Sequence, residues 1–188
     1  MIVPPPAMRP WSRPRIEIVA DFGIFAVEKG LLHDAAGQPM RDVFTFGCRN
    51  WCNVVAVTPA QEIVFVWQYR FGPGELSLEV PGGVIDAGEA PEAAARRELL
   101  EESGFEAGKI ELLSDLQPNP ALQGNRIYSY VAWDAVPTGS TAFDELEECE
   151  TALVPRSALG ALLDSGQVQH ALVAVALETF LRRHGAGP

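Results

Sequence analysis

The sequence predicts an α/β protein, on three observations. Short runs alternating apolar and polar residues recur from Arg15 to Trp133, the pattern of half-buried strands. Amid them the stretch from Pro91 to Ser103 has a helical composition, with three alanines and two leucines. The chain then closes on Val168 to His184, where Leu172, Val173, Val175, Ala176, Leu177, Phe180 and Leu181 make a broad apolar stripe at helical spacing.

Taken in order, Met1 to Arg15 is crowded with prolines and arginines, so it is expected to be extended until packed on something. RIEIVADFGIFAVE, Arg15 to Glu28, reads as strand with a break near Asp21 to Gly23, and Met40 to Phe46 follows a turn. These runs form a meander of their own. Trp51 to Thr58 and Glu62 to Tyr69, joined by the turn PAQ, read as a hairpin. Leu76 to Pro81 is a further strand, feeding into the glycine-rich loop PGGVIDAGE. That loop must turn sharply and bring bare backbone close to whatever follows. In the helix after it, Pro91 suits a first helical position and Gly104 a left-handed terminator. Lys109 to Asp115 and Asn125 to Trp133 read as strands around the loop QPNPALQG. The polar stretch 136–147 precedes a last strand, Thr151 to Val154, and a short helix, Ser157 to Ser165, ends at Gly166. No linker divides the chain.

The 188 residues are 47% hydrophobic, enough for a real core, and carry a formal net charge of -11. Such acidity argues against a nucleic-acid polymer as partner, because phosphate backbones are bound by clustered Lys and Arg. A small phosphorylated ligand reached through a bound cation remains compatible. Cys48, Cys52 and Cys149 lack zinc-site spacing and are expected to be reduced thiols. The start of the chain lacks the apolar core of a signal peptide, and no stretch approaches the ~18 apolar residues of a membrane span, so a cytoplasmic protein with no membrane partner is expected.

The chemistry concentrates on the central helix. Glu98 and Glu102 fall on one face a turn apart, Glu101 lies beside them, and Arg97 stands one turn before Glu101. Like charges at this spacing destabilise a helix by roughly 0.2–0.5 kcal/mol per pair, so the cluster needs a reason. A solvated acidic face tied by Glu92–Arg96 and Arg97–Glu101 pairs is one, and for an arbitrary Glu-rich helix the better one. A hard divalent cation is the other, and the glycine loop at this spacing favours it.

The whole stretch Gly83 to Phe105, GVIDAGEAPEAAARRELLEESGF, resembles the Nudix signature with every fixed slot filled. The resemblance implies a mixed β-sheet sandwiched between α-helices, here after an N-terminal antiparallel β meander, and hydrolysis of a diphosphate linked to another moiety with Mg²⁺ or Mn²⁺. By position it makes Glu98 and Glu102 metal ligands, the Gly82 carbonyl a further ligand, Glu101 a ligand or a partner of one, and Arg97 and Glu89 supports of loop and helix. Outside that stretch, Gln68-Tyr69-Arg70 and Glu79-Val80-Pro81-Gly82-Gly83 resemble the ADP-ribose and nucleoside diphosphate sugar pyrophosphatases. This implies Arg70 as a phosphate clamp and Glu79 at the metal or substrate edge, with a plain outward-facing Glu equally open. It also implies a catalytic carboxylate on the late acidic loop FDELEECETALVP: Glu145 as base, Glu147 as third metal-binding carboxylate, Glu148 as fallback. Pro120 of PNPALQGN would belong to the substrate loop, and Trp51, Phe46 or Trp11 would supply an aromatic platform for the base.

Such relatives are two-fold dimers, so the expectation is a homodimer, with residues 1–50 as the meander used in dimerisation and substrate contact and 51–188 as the Nudix domain. The expected substrate is a small nucleotide sugar. The alternatives are a non-catalytic module that binds one, or a hydrolase for coenzyme A or a damaged nucleoside triphosphate.

Overall fold

The computed structural model describes residues 10–138 and 149–187, which form two compact units: 10–49 with 119–125, and the remainder. The expected residues Glu145, Glu147 and Glu148 lie outside the described residues.

The first unit is an antiparallel meander of β1 (Ile16–Asp21), β2 (Phe25–His33) and β3 (Pro39–Cys48), in that spatial order. The expected break is a turn in which Gly23 takes φ 79° and its N–H donates to Asp21 Oδ1 at 2.8 Å. Segment 119–125 joins this unit: Phe46 N–H donates to the Leu122 carbonyl at 2.7 Å, and Gln123 makes a parallel bridge with Phe46. Large apolar side chains stay exposed on the meander, among them Ile18, Phe22 and Ile24.

The second unit holds β4 (Trp51–Val57), β5 (Glu62–Arg70), β6 (Glu75–Glu79), β7 (Gly82–Val84), β8 (Phe105–Glu106), β9 (Lys109–Leu116), β10 (Ile127–Trp133), β11 (Val136–Pro137) and β12 (Glu150–Pro155). Its helices are α1 (Pro91–Ser103), α2 (Leu159–Asp164), led in by a 3-10 turn at Arg156–Ala158, and α3 (Ala171–His184). The main sheet runs β12-β5-β4-β10-β9 and is mixed, because β10 lies parallel to β4 while its other pairings are antiparallel.

The expected hairpin forms only at its base. Strands β4 and β5 pair at Val57 and Ile63 and then part, and the extended chain 75–84 fills the gap. It pairs with β5 as far as Glu79, then with β4 from Gly82. Pro81 sits at the crossing, where its missing N–H costs no ladder bond while its carbonyl accepts from Val54 N–H at 2.9 Å. This crossing delivers the glycine loop to the middle of the sheet.

Alternation along β4 divides the core. Cys52, Val54 and Ala56 pack with Ala94, Ala95 and Leu99 of α1; Val55 and Val57 pack with Val173, Leu177 and Phe180 of α3. The sheet of this unit therefore lies between α1 and α3, the sandwich expected. Helix α3 begins three residues later than its apolar pattern, since Val168 is buried in the extended approach. The described cysteines are free thiols, and no described helix is long and apolar enough to cross a membrane.

Candidate active site

Helix α1 matches its expected ends. Pro91 opens it, and Gly104 at φ 70° closes it with its N–H on the Leu100 carbonyl at 2.8 Å. Its two buried glutamates turn to the glycines of β7 rather than to solvent. Glu102 Oε2 accepts the Gly82 N–H at 2.8 Å. A Cβ on Gly83 would lie 2.5 Å from Glu98 Oε1, and one on Gly82 only 2.4 Å from the Cys52 carbonyl. At Gly82, where the neighbour is backbone, only glycine lets the chain pass this close.

Arg97 braces the arrangement. Its Nε and Nη2 grip both oxygens of Glu89 at 3.0 Å each, Nη1 reaches Glu98 at 2.8 Å and Glu101 at 3.0 Å, and Nη2 also donates to the Val84 carbonyl. Every guanidinium N–H is thus used. The Glu89 fork holds the Arg97 pKa above its ordinary value, and Arg97, with the Asp86 N–H, holds Glu89 below its own. Half-exposed Glu101 meets the cluster through Arg97.

A second arginine nest lies across β5 and β6. Arg70 Nε and Nη2 fork onto the two oxygens of Glu79 at 2.7 Å each, and Glu79 is 2% exposed. Burial alone would raise the Glu79 pKa, but the Arg70 hydrogen bonds and charge outweigh it and the net direction is down. His170 brings Nδ1 to 3.6 Å from Glu79 Oε2, and burial is the main cause that lowers the imidazole pKa. Arg70 Nη1 has no partner among the described residues.

A cavity of about 810 Å³ brings Trp51, Arg70, Glu79 and Gly82 together with Gly83, Asn53 and His170. Glu98 and Glu102 abut its Gly82–Gly83 edge. Pro120 belongs to the other unit, where it lines a shallow depression with Trp11 and Phe44. On either side of residues 139–148, Thr138 donates to the Gly104 carbonyl through N–H and Oγ1 at 2.8 and 3.0 Å, and Thr151 Oγ1 donates to the Ser103 carbonyl at 3.3 Å. Both flanks of the acidic segment are therefore tied to the end of α1 that carries Glu102.

Sequence reasoning did not single out His170 or Asn53. His170 sits alone at the edge of an apolar helix, and only the fold brings it to Glu79.

Among the described residues, no group of three His, Cys, Asp or Glu side chains could hold a metal unaided. The donors at the loop and helix are all oxygen: two buried carboxylates, with the Gly82 carbonyl as backbone candidate. That set fits a hard cation such as Mg²⁺, which takes one or two carboxylates and completes its shell with water and phosphate.

The NUDIX domain family model matches residues 51–174. The chain belongs to the Nudix family. The ADP-ribose pyrophosphatase of Bacillus subtilis is 30% identical over 126 residues, 66% of this chain and 68% of that protein. The methanol dehydrogenase activator of Bacillus methanolicus is 38% identical over 79 residues, 42% of this chain and 43% of that one. The crystal structure of an ADP compounds hydrolase superposes on this Nudix chain with a TM-score of 0.83 at 26% identity, covering 96% of this chain and 99% of the other. The matched region spans about half the length of some curated relatives, 52% of one and 43% of another.

Proposed function

We propose that this Nudix protein hydrolyses the diphosphate linkage of ADP-ribose or a nucleoside diphosphate sugar, giving a nucleoside monophosphate and a sugar phosphate. One observation carries the reading. Two buried carboxylates face a glycine pair at the edge of a cavity whose wall holds a guanidinium with donors unused among the described residues. The relatives named as ADP-ribose pyrophosphatase and ADP compounds hydrolase support it.

In this reading Glu98, Glu102 and the Gly82 carbonyl hold Mg²⁺ or Mn²⁺, with Glu147 as a further carboxylate. When bound, the cation neutralises phosphate charge and acidifies a water. Glu101 is held through Arg97 beside the ligands, and Arg97 keeps Glu98 in place. Arg70 presents Nη1 and the second N–H of Nη2 to the phosphate oxygens, the planar edge of the guanidinium suited to paired anionic oxygens. Glu79, already engaged by Arg70, aims that fork rather than taking metal. Glu145 takes the proton of the attacking water, with Glu148 as the alternative; the described residues on either side, Thr138 and Thr151, are tied to the end of α1 that carries Glu102. Trp51 offers a stacking face inside the cavity, and Pro120 shapes the substrate loop. The exposed apolar residues of the meander support a homodimer, and the protein is taken to work in the cytoplasm.

The test is release of AMP from ADP-ribose with Mg²⁺. Glu102→Gln is expected to lower turnover at least about 100-fold, since even outer partners of metal ligands cost 10–100-fold. Undiminished turnover in Glu102→Gln, or none in the wild type on any nucleotide sugar, would refute the reading. Near wild-type turnover in Glu145→Gln would move the base elsewhere.

A further inference from the structure

We propose that His170 is a specificity-determining residue whose Nε2 accepts a hydrogen bond from a sugar hydroxyl of the substrate inside the Arg70-lined cavity. The inference rests on the hydrolase reading above and narrows it to diphosphates that carry such a hydroxyl beside the phosphates.

His170 ends the extended segment before α3, with φ -72° and ψ 111°, so the helix start fixes its backbone. Its two ring nitrogens have different surroundings. Nδ1 is buried, has no hydrogen-bond partner among the described residues, and lies 3.6 Å from the Glu79 carboxylate. Glu79 is kept ionised by Arg70, and a carboxylate beside one ring nitrogen draws the imidazole proton to that side. The lone pair then sits on Nε2. That nitrogen has no partner among the described residues; His170 lines the cavity and its side chain is 38% exposed while Nδ1 is buried, so the accessible atoms belong to the rest of the ring, to which Nε2 belongs. Burial favours the neutral ring, so an acceptor rather than a cation faces the ligand.

What completes a neutral acceptor is a donor, which excludes a phosphate oxygen. Arg70 Nη2 and His170 Nδ1 both approach Glu79 Oε2, at 2.7 and 3.6 Å, so the imidazole stands within a side chain's reach of the Arg70 guanidinium. In a nucleotide sugar the first donors met on leaving the phosphates are ribosyl hydroxyls, and the amine of a base lies beyond them. The hydroxyl can come from the nucleoside or from the distal sugar. The chemistry is the same.

Binding is read first. AMP and D-ribose 5-phosphate, each half of the substrate, are titrated calorimetrically with Mg²⁺ into the wild type, His170→Ala and His170→Gln. At least one is expected to bind, about tenfold more weakly to His170→Ala, the fold-change that one neutral hydrogen bond supports. His170→Gln, whose amide oxygen can stand near the place of Nε2, should recover most of the loss. Equal affinities of wild type and His170→Ala for both ligands, or no binding of either, would overturn the proposal. Turnover separates the two sources. The methyl ester of ADP lacks the distal sugar, and the dideoxyadenosine form of ADP-ribose lacks the nucleoside hydroxyls. The penalty of His170→Ala should shrink below about twofold with one of them; the same penalty on both overturns the inference. If the wild type cleaves none of these compounds, the hydrolase reading fails, and the titration still decides whether His170 reads the sugar.

Discussion

The two arginine nests use the same chemical parts for different ends. Arg97 draws Glu89, Glu98 and Glu101 from one loop and one helix, and spends every N–H on them and on the Val84 carbonyl. Arg70 takes one buried carboxylate from the neighbouring strand, lines the cavity, and has Nη1 unused among the described residues. A saturated guanidinium is a brace, while a half-used one held by a buried carboxylate suits the anion-binding role proposed for Arg70. The difference lies in the donors left over rather than in the charge.

The largest effect should come from changing Arg70. In Arg70→Lys the charge still neutralises Glu79, but the fork is gone, so kcat/KM should fall about 100-fold, with the unfolding midpoint within a few degrees of wild type. Steady-state kinetics beside a thermal melt reads both. Arg97→Lys should give the mirror image: about 2 kcal/mol of stability lost, an unfolding midpoint roughly 4–8 °C lower, and a smaller kinetic effect of about tenfold. If the two variants exchanged these profiles, the distinction between brace and clamp would be wrong.

Acid should dissolve the nests in sequence. A folded-state pKa below the unfolded value means that protons bind more readily to the unfolded chain, so stability falls as pH falls. For His170 the loss begins below its ordinary 6.5, whereas for Glu89 the contribution is intact above its ordinary 4.5 and disappears as pH drops through the lower folded value. Chemical denaturation at a series of pH values should show an upper step removed in His170→Ala and a lower one removed in Glu89→Gln. A single step unaffected by either variant would mean that the nests do not titrate separately. The smallest change belongs to the exposed Glu92–Arg96 pair on α1. Glu92→Gln should shift stability by less than about 0.5 kcal/mol, and a larger shift would mark that pair as part of the brace.

Legibility followed the distance along the chain over which each feature is assembled. The contacts of Arg97 span at most thirteen residues, Val84 to Arg97; its partner Glu101 could be read from helical spacing, and Glu89 from the resemblance to the Nudix signature. The Arg70–Glu79 pair was half legible: both residues stood out, but their mutual grip arises only because β5 and β6 pair antiparallel, with Arg70 opposite Glu75 and Glu79 opposite Val66 on one face. His170 comes from far along the chain, and nothing in QVQH distinguishes it from a polar helix lead-in. The meander turn at Gly23 was visible as a break in alternation. The parting of β4 and β5 was not, because local alternation specifies a strand without naming its neighbour.

The sequence by itself determined where the three helices and the longer strands lie, which face of α1 carries its paired glutamates, and where the glycine loop turns, because these depend on dihedral preferences and on side-chain periodicity over a few residues. The tertiary structure decided which strand the glycine loop pairs with, that the chain 75–84 crosses from β5 to β4, and that Glu79 receives Arg70 on one oxygen pair and His170 at its edge. Those outcomes depend on burying two apolar faces of one sheet at once, a constraint that acts between residues far apart in the chain and leaves no local pattern.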